Sequence, residues 1–165
     1  MEITNDPQKI GAALSWIVSL LNRHNIPYQI VGGLAAKAYG ATRPLVDIDI
    51  YAPMEQVRPI LEEMRPYIVR EPLPHHSDSW DLIYMALEYY DIYMEIGDAS
   101  TNPRFYNRRD GRWEPQPITF TNSTIMTLYG TQVCLMPRDE LLAYKAMLQR
   151  EVDYQDIKEI SGESV

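Results

Sequence analysis

Two aspartates separated by a single residue stand among aliphatic side chains in the run Val46-Asp47-Ile48-Asp49-Ile50. Alternation of acidic and apolar residues is typical of a β-strand, so both carboxylates should leave the same face, about 7 Å apart along the strand. Carboxylates held this close repel each other unless a cation lies between them. The aliphatic residues point to the opposite face and should be buried. The pair is therefore a candidate metal site on a rigid element.

A glycine pair precedes the aspartates, in the run Ile30-Val31-Gly32-Gly33-Leu34. Glycines at the end of an apolar strand let the backbone approach a ligand closely, and the helix that follows offers unpaired N–H groups to a phosphate. An ordinary tight turn also uses such glycines, and an Asp-x-Asp strand can simply face solvent. Each feature alone therefore leaves two interpretations open.

A third carboxylate would complete a site, and Glu95 in Tyr93-Met94-Glu95-Ile96 is the candidate. Asp91 shares its face of the predicted strand, but four residues along a strand span about 13 Å, so only one of the two can join the aspartate pair. Asp91 lies nearer the predicted turn, which favours Glu95. The alternative is that Glu95 is merely an exposed residue of a strand.

Taken together, Gly32-Gly33 and, fourteen positions after Gly33, Asp47-x-Asp49 resemble the nucleotidyltransferase signature of the polymerase-beta-like superfamily. Arg43 is similar to the basic residue that precedes the acid pair in the lincosamide- and aminoglycoside-nucleotidyltransferase-like branch, or in minimal nucleotidyltransferases. The segment from Met136 to Asp156 resembles the C-terminal part of the same branch, where a lysine approaches the nucleotide phosphates. The resemblance covers residues 26–160, with Glu95 where many members carry aspartate.

The resemblance implies a role for each motif. Asp47, Asp49 and Glu95 would bind Mg²⁺ or Mn²⁺ and carry catalysis, with Glu95 also accepting a proton from the acceptor. The nucleotide would be bound by four further residues: Gly32, Gly33, Arg43 and Lys145. From the residues alone, Lys145 lies on an apolar helix and could instead extend to the surface. Asp153 and Asp156 could hold Lys145 or Arg150 in place.

Hydrophobic periodicity and the positions of glycine and proline predict the helices and strands that hold these residues. They predict an α+β fold, a mixed sheet flanked by helices, in a single domain of residues 1–165 with a short C-terminal helical extension at about 138–160. Helices are expected at 7–24, at 34–39, at 138–149 and at 154–160, and a further helix should begin at Pro53 with an interruption at Pro59. Strands are expected at 28–31, 46–51 and 131–135. A hairpin is expected within 82–96, with its turn near 88–90. Residues 68–80 are expected to be a loop or an edge segment, and residues 100–117 an irregular surface loop.

Composition limits the functional classes. The net charge of −8 argues against binding to a nucleic-acid backbone, which needs a basic surface. A single cysteine, Cys134, excludes an internal disulfide and is typical of a reducing compartment. The sequence has no run of 18 apolar residues, and its first six residues do not form a signal peptide. These observations predict a cytoplasmic protein with no membrane contact.

Two functions remain in contention. The first is an enzyme that transfers a nucleoside monophosphate from a nucleoside triphosphate to a hydroxyl of a small molecule or a protein. The second is a catalytically weak protein of the same fold that acts as the antitoxin-like partner of another protein, and a homodimer is compatible with either. For the enzyme, Trp113 with Arg104, Arg108, Arg109 and Arg112 could bind the acceptor, and the stretch from His75 to Asp78 is expected to line the cleft rather than hold a metal.

Overall fold

The computed structural model describes residues 6–162. The expectation about a signal peptide concerns the first residues and falls mostly outside this range. The helices are α1 (Pro7–Arg23), α2 (Gly32–Ala38), α3 (Met54–Val57), α4 (Leu61–Met64), α5 (Arg138–Leu148) and α6 (Glu151–Ser161). The strands are β1 (Gln29–Val31), β2 (Ile48–Ala52), β3 (Ile68–His76), β4 (Trp80–Tyr89), β5 (Ile92–Asp98), β6 (Arg104–Asn107), β7 (Arg112–Pro115), β8 (Thr124–Leu128) and β9 (Thr131–Leu135).

The strands form one mixed sheet in the order β7-β6-β4-β5-β2-β1-β9-β8, and β3 pairs with β4 in addition. At its centre β2 runs parallel to β5 and antiparallel to β1, which in turn runs parallel to β9. The prediction of a mixed sheet flanked by helices is confirmed. The predicted hairpin is also present, since β4 and β5 pair antiparallel across a turn at Tyr90 and Asp91.

Helix α1 covers one face of the sheet. Asp6 caps it by accepting hydrogen bonds from the backbone N–H groups of Gln8 and Lys9, and its apolar stripe is buried against the core. The core also contains the side chains of β2 and β5 that alternate with the acids, namely Ile48, Ile50, Met94 and Ile96. Because side chains alternate along a strand, Asp49 and Glu95 face away from this core. Within residues 6–162 no helix is both long and apolar enough to cross a membrane.

The helix predicted from Pro53 is interrupted at Pro59, as expected, and again at Pro66, which was not predicted. It consists of α3, a 3₁₀ turn at Arg58–Ile60, α4 and a second 3₁₀ turn at Arg65–Tyr67. Pro59 and Pro66 occupy the first turns of the two 3₁₀ segments, since proline has no N–H to continue an α-helical ladder.

The expectation of an irregular loop over residues 100–117 is wrong. Strands β6 and β7 form an antiparallel hairpin there, closed by a turn in which Gly111 has a φ of +71°. The three prolines that suggested a loop lie outside the paired interior: Pro103 precedes β6, Pro115 ends β7 and Pro117 follows it. Strand β8 was not predicted at all, and it pairs with β9 through a turn at Tyr129 and Gly130.

Residues 68–76 form an edge strand, the second of the two forms expected for this segment. Strand β3 pairs with β4 and its ladder shifts register twice, between Ile68 and Arg70 and between Arg70 and Leu73. Pro72 and Pro74 remove two backbone donors, which an edge strand tolerates and a central strand does not.

Candidate active site

Three carboxylates meet at the centre of the sheet, on the face opposite α1. Asp49 and Glu95 occupy paired positions of the parallel strands β2 and β5, and Asp47 lies just before the first residue of β2. One carboxylate oxygen from each of Asp47, Asp49 and Glu95 lies within 4.8 Å of the others. The structure therefore brings together the three acids that the sequence singled out.

Proximity and burial make this cluster costly without a cation. Burial, followed by the charges of Asp47 and Glu95, raises the pKa of Asp49 well above its usual value. Burial and the charge of Asp47 also raise the pKa of Glu95. Carboxylate oxygens are the ligands that Mg²⁺ prefers, and oxygens around one such ion lie up to about 4.2 Å apart. The donor set fits one or two hard divalent cations after small side-chain movements.

The glycine pair lies against this cluster. Gly32 has a φ of +60°, and a Cβ built on it would lie less than 3.0 Å from Oδ2 of Asp49. A Cβ on Gly33 would lie 3.3 Å from Nη2 of Arg43. The backbone at the start of α2 thus runs directly between the acids and a guanidinium, which is possible because neither position carries a side chain.

A buried ion-pair cluster lies beside the acids, formed by Arg43, Lys145, Arg150, Asp153 and Asp156. Arg43 donates from Nε and Nη2 to the two oxygens of Asp156, at 2.8 and 2.9 Å. Nζ of Lys145 lies 3.2 Å from Asp153 and 3.0 Å from Asp156, and Arg150 donates from Nε to Asp153 at 2.8 Å. The three cations and two carboxylates of this cluster leave one excess positive charge beside the acid triad.

Lys145 is only 1% exposed, so the alternative of a surface lysine is wrong. Asp153 and Asp156 hold both Lys145 and Arg150, as the sequence suggested. Burial alone would raise the pKa of Asp156, but hydrogen bonds and charges from Arg43 and Lys145 outweigh burial and lower it. The cations around Asp156 therefore favour its ionised form.

One cavity of about 470 Å³ joins these parts. All seven residues that the sequence proposed for the site line it: Gly32, Gly33, Arg43, Asp47, Asp49, Glu95 and Lys145. Asp91, the alternative third acid, lies instead in the exposed turn after β4 and pairs with Lys9 at 2.6 Å. The preference for Glu95 over Asp91 thus agrees with the geometry.

Sequence reasoning missed several aromatic residues of the cavity wall. Tyr51 continues the alternation of Asp47 and Asp49 along β2, and its ring packs over Gly97, the next same-face residue after Glu95. Trp80 donates from Nε1 to the hydroxyl of Tyr144 at 2.6 Å. Extending the alternation by one more step would have found Tyr51, whereas no local signal marks Trp80 or Tyr144.

Two further candidate groups, the stretch from His75 to Asp78 and Trp113 with its arginines, lie in different positions relative to the cavity. His75 lines the cavity and packs edge-on against Tyr84. Across residues 6–162 the acid triad is the group found with metal-binding geometry, and His75, His76 and Asp78 are not part of it. Trp113 and its neighbouring arginines lie outside the cavity wall, and most of those arginines are paired to carboxylates, at Asp81, Asp110 and Glu114.

No sequence-family profile matches the chain, and no curated protein matches it by sequence. Solved structures do match. TM1012 of Thermotoga maritima, provisionally described as a nucleotidyltransferase, superposes with a TM-score of 0.67 at 19% identity, over 87% of this chain and 86% of that one. The lincosamide antibiotic adenylyltransferase LnuA, solved with lincomycin, gives 0.61 at 14% identity over 98% of both chains.

A third solved structure extends the likeness. The antibiotic-resistance factor ANT(2'')-Ia gives a TM-score of 0.57 at 17% identity, over 94% of this chain and 82% of that one. At such identities the likeness concerns the fold, and it spans nearly all of the chain. The sequence resemblance to nucleotidyltransferases is thereby confirmed at the level of architecture: the chain has the nucleotidyltransferase fold.

Proposed function

We propose that the protein is a nucleotidyltransferase dependent on Mg²⁺ or Mn²⁺, which transfers a nucleoside monophosphate from a nucleoside triphosphate to a hydroxyl of a small-molecule or protein acceptor. The observation that carries the proposal is the convergence of Asp47, Asp49 and Glu95 within 4.8 Å, in a cavity whose adjoining wall has an excess positive charge. Two proteins of the same fold, LnuA and ANT(2'')-Ia, are an antibiotic adenylyltransferase and an antibiotic-resistance factor.

In this reaction the acceptor oxygen attacks the α-phosphorus, a new P–O bond forms, and the bond to the bridging oxygen of pyrophosphate breaks. The acceptor proton passes to Glu95, whose carboxylate lies with those of Asp47 and Asp49 in the wall of the cavity. A divalent cation held by Asp47, Asp49 and Glu95 would neutralise the triphosphate and the leaving pyrophosphate.

The residues around the acids would hold the nucleotide. Gly32 and Gly33 present an open backbone on which phosphate oxygens can accept N–H hydrogen bonds. Arg43 and Lys145 contribute charge from the ion-pair cluster, where Asp153 and Asp156 fix their positions. Preorganised cations of this kind stabilise charge without having to reorient during the reaction.

The second hypothesis is a catalytically weak binding protein of the same fold. LnuA favours the enzyme instead, because this chain and that adenylyltransferase cover 98% of each other. The enzyme is therefore the better supported of the two functions, and the binding protein becomes an outcome of the test.

The test is a thermal-melt series with ATP, GTP, CTP and UTP, each with and without Mg²⁺, on the wild type and on Asp49→Asn. The matched control is Asp91→Asn, the same substitution at a carboxylate outside the cavity. A ligand at one hundred times its Kd adds about 2.7 kcal/mol, which raises the melting temperature by several degrees for a domain of this size. Pyrophosphate release with candidate acceptors then measures turnover.

We expect a Mg²⁺-dependent shift in the wild type and in Asp91→Asn that is lost in Asp49→Asn. No shift with any of the four triphosphates would contradict the proposal and favour the binding protein. Unfolding of Asp49→Asn in the absence of ligand would show that the acid is structural and would contradict its assignment to the metal site.

A further inference from the structure

Arg70 on the edge strand β3 stacks on a residue of the cavity wall. Its guanidinium carbon lies 4.2 Å from the centre of the Tyr84 ring, and Tyr84 lines the cavity. Its Nη2 donates to the carbonyls of Leu73 and Pro74, at 3.2 Å each. A stacked guanidinium tethered at one nitrogen has its plane fixed, so its remaining donors point in a defined direction.

Arg70 lies in the same transverse row of the sheet as the acids. It pairs with Ala86 of β4, Ala86 pairs with Glu95 of β5, and Glu95 pairs with Asp49 of β2. Strands are spaced by about 4.8 Å, so the backbones of Arg70 and Glu95 are about 10 Å apart with only the small side chain of Ala86 between them.

Unlike the other cations of the site, Arg70 forms no ion pair with a carboxylate of residues 6–162. Arg43, Lys145 and Arg150 are each paired with an aspartate. The Nε of Arg70 is buried, and its hydrogen bonds to the carbonyls of Leu73 and Pro74 both come from Nη2. Nη1 is therefore the nitrogen left to donate a charge-assisted hydrogen bond to an anion.

We propose that Arg70 and Tyr84 form an acceptor subsite, and that the acceptor is a hydroxyl compound carrying a carboxylate or a phosphate. This inference rests on the proposed function, since Glu95 is there the group that receives the acceptor proton. The anionic group binds Arg70, the body of the acceptor lies over Tyr84 and His75, and the hydroxyl is directed at Glu95.

Charge explains why this acceptor class is selected. A cationic acceptor would bring its charge up to Arg70 without any compensating carboxylate at that rim of the cavity. An anionic acceptor gains a charge-assisted hydrogen bond, worth about twice a neutral one. Specificity then depends on the repulsion of cations as well as the attraction of anions.

The experiment compares two probes of nearly the same shape, the anion 4-hydroxybenzoate and its neutral amide 4-hydroxybenzamide. Ligand-detected NMR titrations measure the dissociation constant of each, with and without Mg²⁺ and a non-hydrolysable ATP analogue. The variant is Arg70→Gln, and its matched control is Arg65→Gln, an exposed arginine already paired with Glu62 and Glu71. Melting temperatures show whether each variant is folded.

We expect the wild type and Arg65→Gln to bind the benzoate at least tenfold more tightly than the benzamide, and Arg70→Gln to reduce that ratio below twofold. A wild-type ratio near one overturns the subsite without need of any variant. A ratio that persists in Arg70→Gln overturns the assignment to Arg70. Preference for the benzoate together with absent triphosphate binding would support the anion subsite while refuting the transferase, so the two proposals fail separately.

Discussion

Gly32 and Asp49 lie so close together that position 32 has no room for a side chain. A Cβ there would come within 3.0 Å of the Asp49 carboxylate, and the backbone has a φ of +60°. The turn between β1 and α2 therefore fixes the position of Asp49, and the Asp49 carboxylate leaves room only for glycine at position 32. Gly32 of the glycine motif and Asp49 of the acid motif, 17 positions apart in the sequence, therefore belong to one local structure.

Gly32→Ala should abolish the Mg²⁺-dependent triphosphate shift, because the new methyl group must displace Asp49. A left-handed backbone conformation costs an alanine about 1–2 kcal/mol by itself. Gly130→Ala is the matched control, since Gly130 also has a positive φ, of +82°, but no atom within 4 Å of its Cβ position. Thermal melts should show destabilisation in both variants and loss of the ligand shift in Gly32→Ala alone; a retained shift in Gly32→Ala would contradict the contact.

Lys145→Met should destabilise the fold strongly, because it leaves Asp153 and Asp156 sharing only the two arginines. Removing one partner from a buried ion pair costs about 3–5 kcal/mol. Lys158→Met, on the exposed side of α6, should change the free energy of unfolding by less than about 0.5 kcal/mol. Urea unfolding measures both. Equal stability of the two variants would show that the ion-pair cluster does not hold the helices together.

Asp98 should make the protein sensitive to acid. Its carboxylate accepts hydrogen bonds from the backbone N–H of Met54 at 2.8 Å and from the N–H and hydroxyl groups of Ser100 and Thr101. Burial alone would raise its pKa, but these hydrogen bonds outweigh burial and lower the pKa below 3.8. The ionised form therefore contributes stability that is complete above the unfolded value and is lost as the pH falls through the folded one.

Asp98→Asn should accordingly be less stable than the wild type at pH 7, by about 2 kcal/mol, and should lose less stability on acidification from about pH 5 to pH 2. Asp139→Asn, at a side chain that is 94% exposed, should behave like the wild type. Urea unfolding at several pH values measures how the free energy of unfolding of each protein depends on pH. Parallel wild-type and Asp98→Asn curves would show that Asp98 does not titrate with folding.

Tyr144→Phe should destabilise by about 0.5–1.5 kcal/mol, because it removes the hydroxyl that accepts a hydrogen bond from the half-buried indole N–H of Trp80. Tyr154→Phe, at a residue that is 39% exposed, is the control and should be nearly neutral. The measurement is the free energy of unfolding of each variant relative to the wild type. A neutral Tyr144→Phe would indicate that another acceptor replaces the hydroxyl.

The motifs that carry chemistry were predictable because they are local. The glycine pair, the acids of β2 and the helices after Pro137 can be recognised from spacing within a few residues, and Glu95 followed from counting along one strand. Lys145 could be placed on its helix, but its depth depends on α6, which folds back over it. Its burial therefore could not be predicted from its own neighbourhood.

The parts that were missed depend on pairing between distant segments. Prolines and a turn made residues 100–117 resemble a loop, yet β6 forms a strand because it continues the sheet beside β4 at Trp80 and Asp81. Strand β8 has only five residues and is stabilised by β9. The aromatic wall of the cavity combines Tyr51 from β2 with Tyr144 from α5, and no sequence pattern links the two.

The ion-pair cluster can assemble only after α6 has been synthesised. Asp153 and Asp156, which neutralise Lys145 and hold Arg43, both belong to α6 and leave the ribosome after every other part of the cavity. Until they emerge, the three cations Arg43, Lys145 and Arg150 have no buried partners, and the basic wall cannot close against the acids. A nascent chain in which α6 has not yet folded should therefore lack the assembled cavity wall.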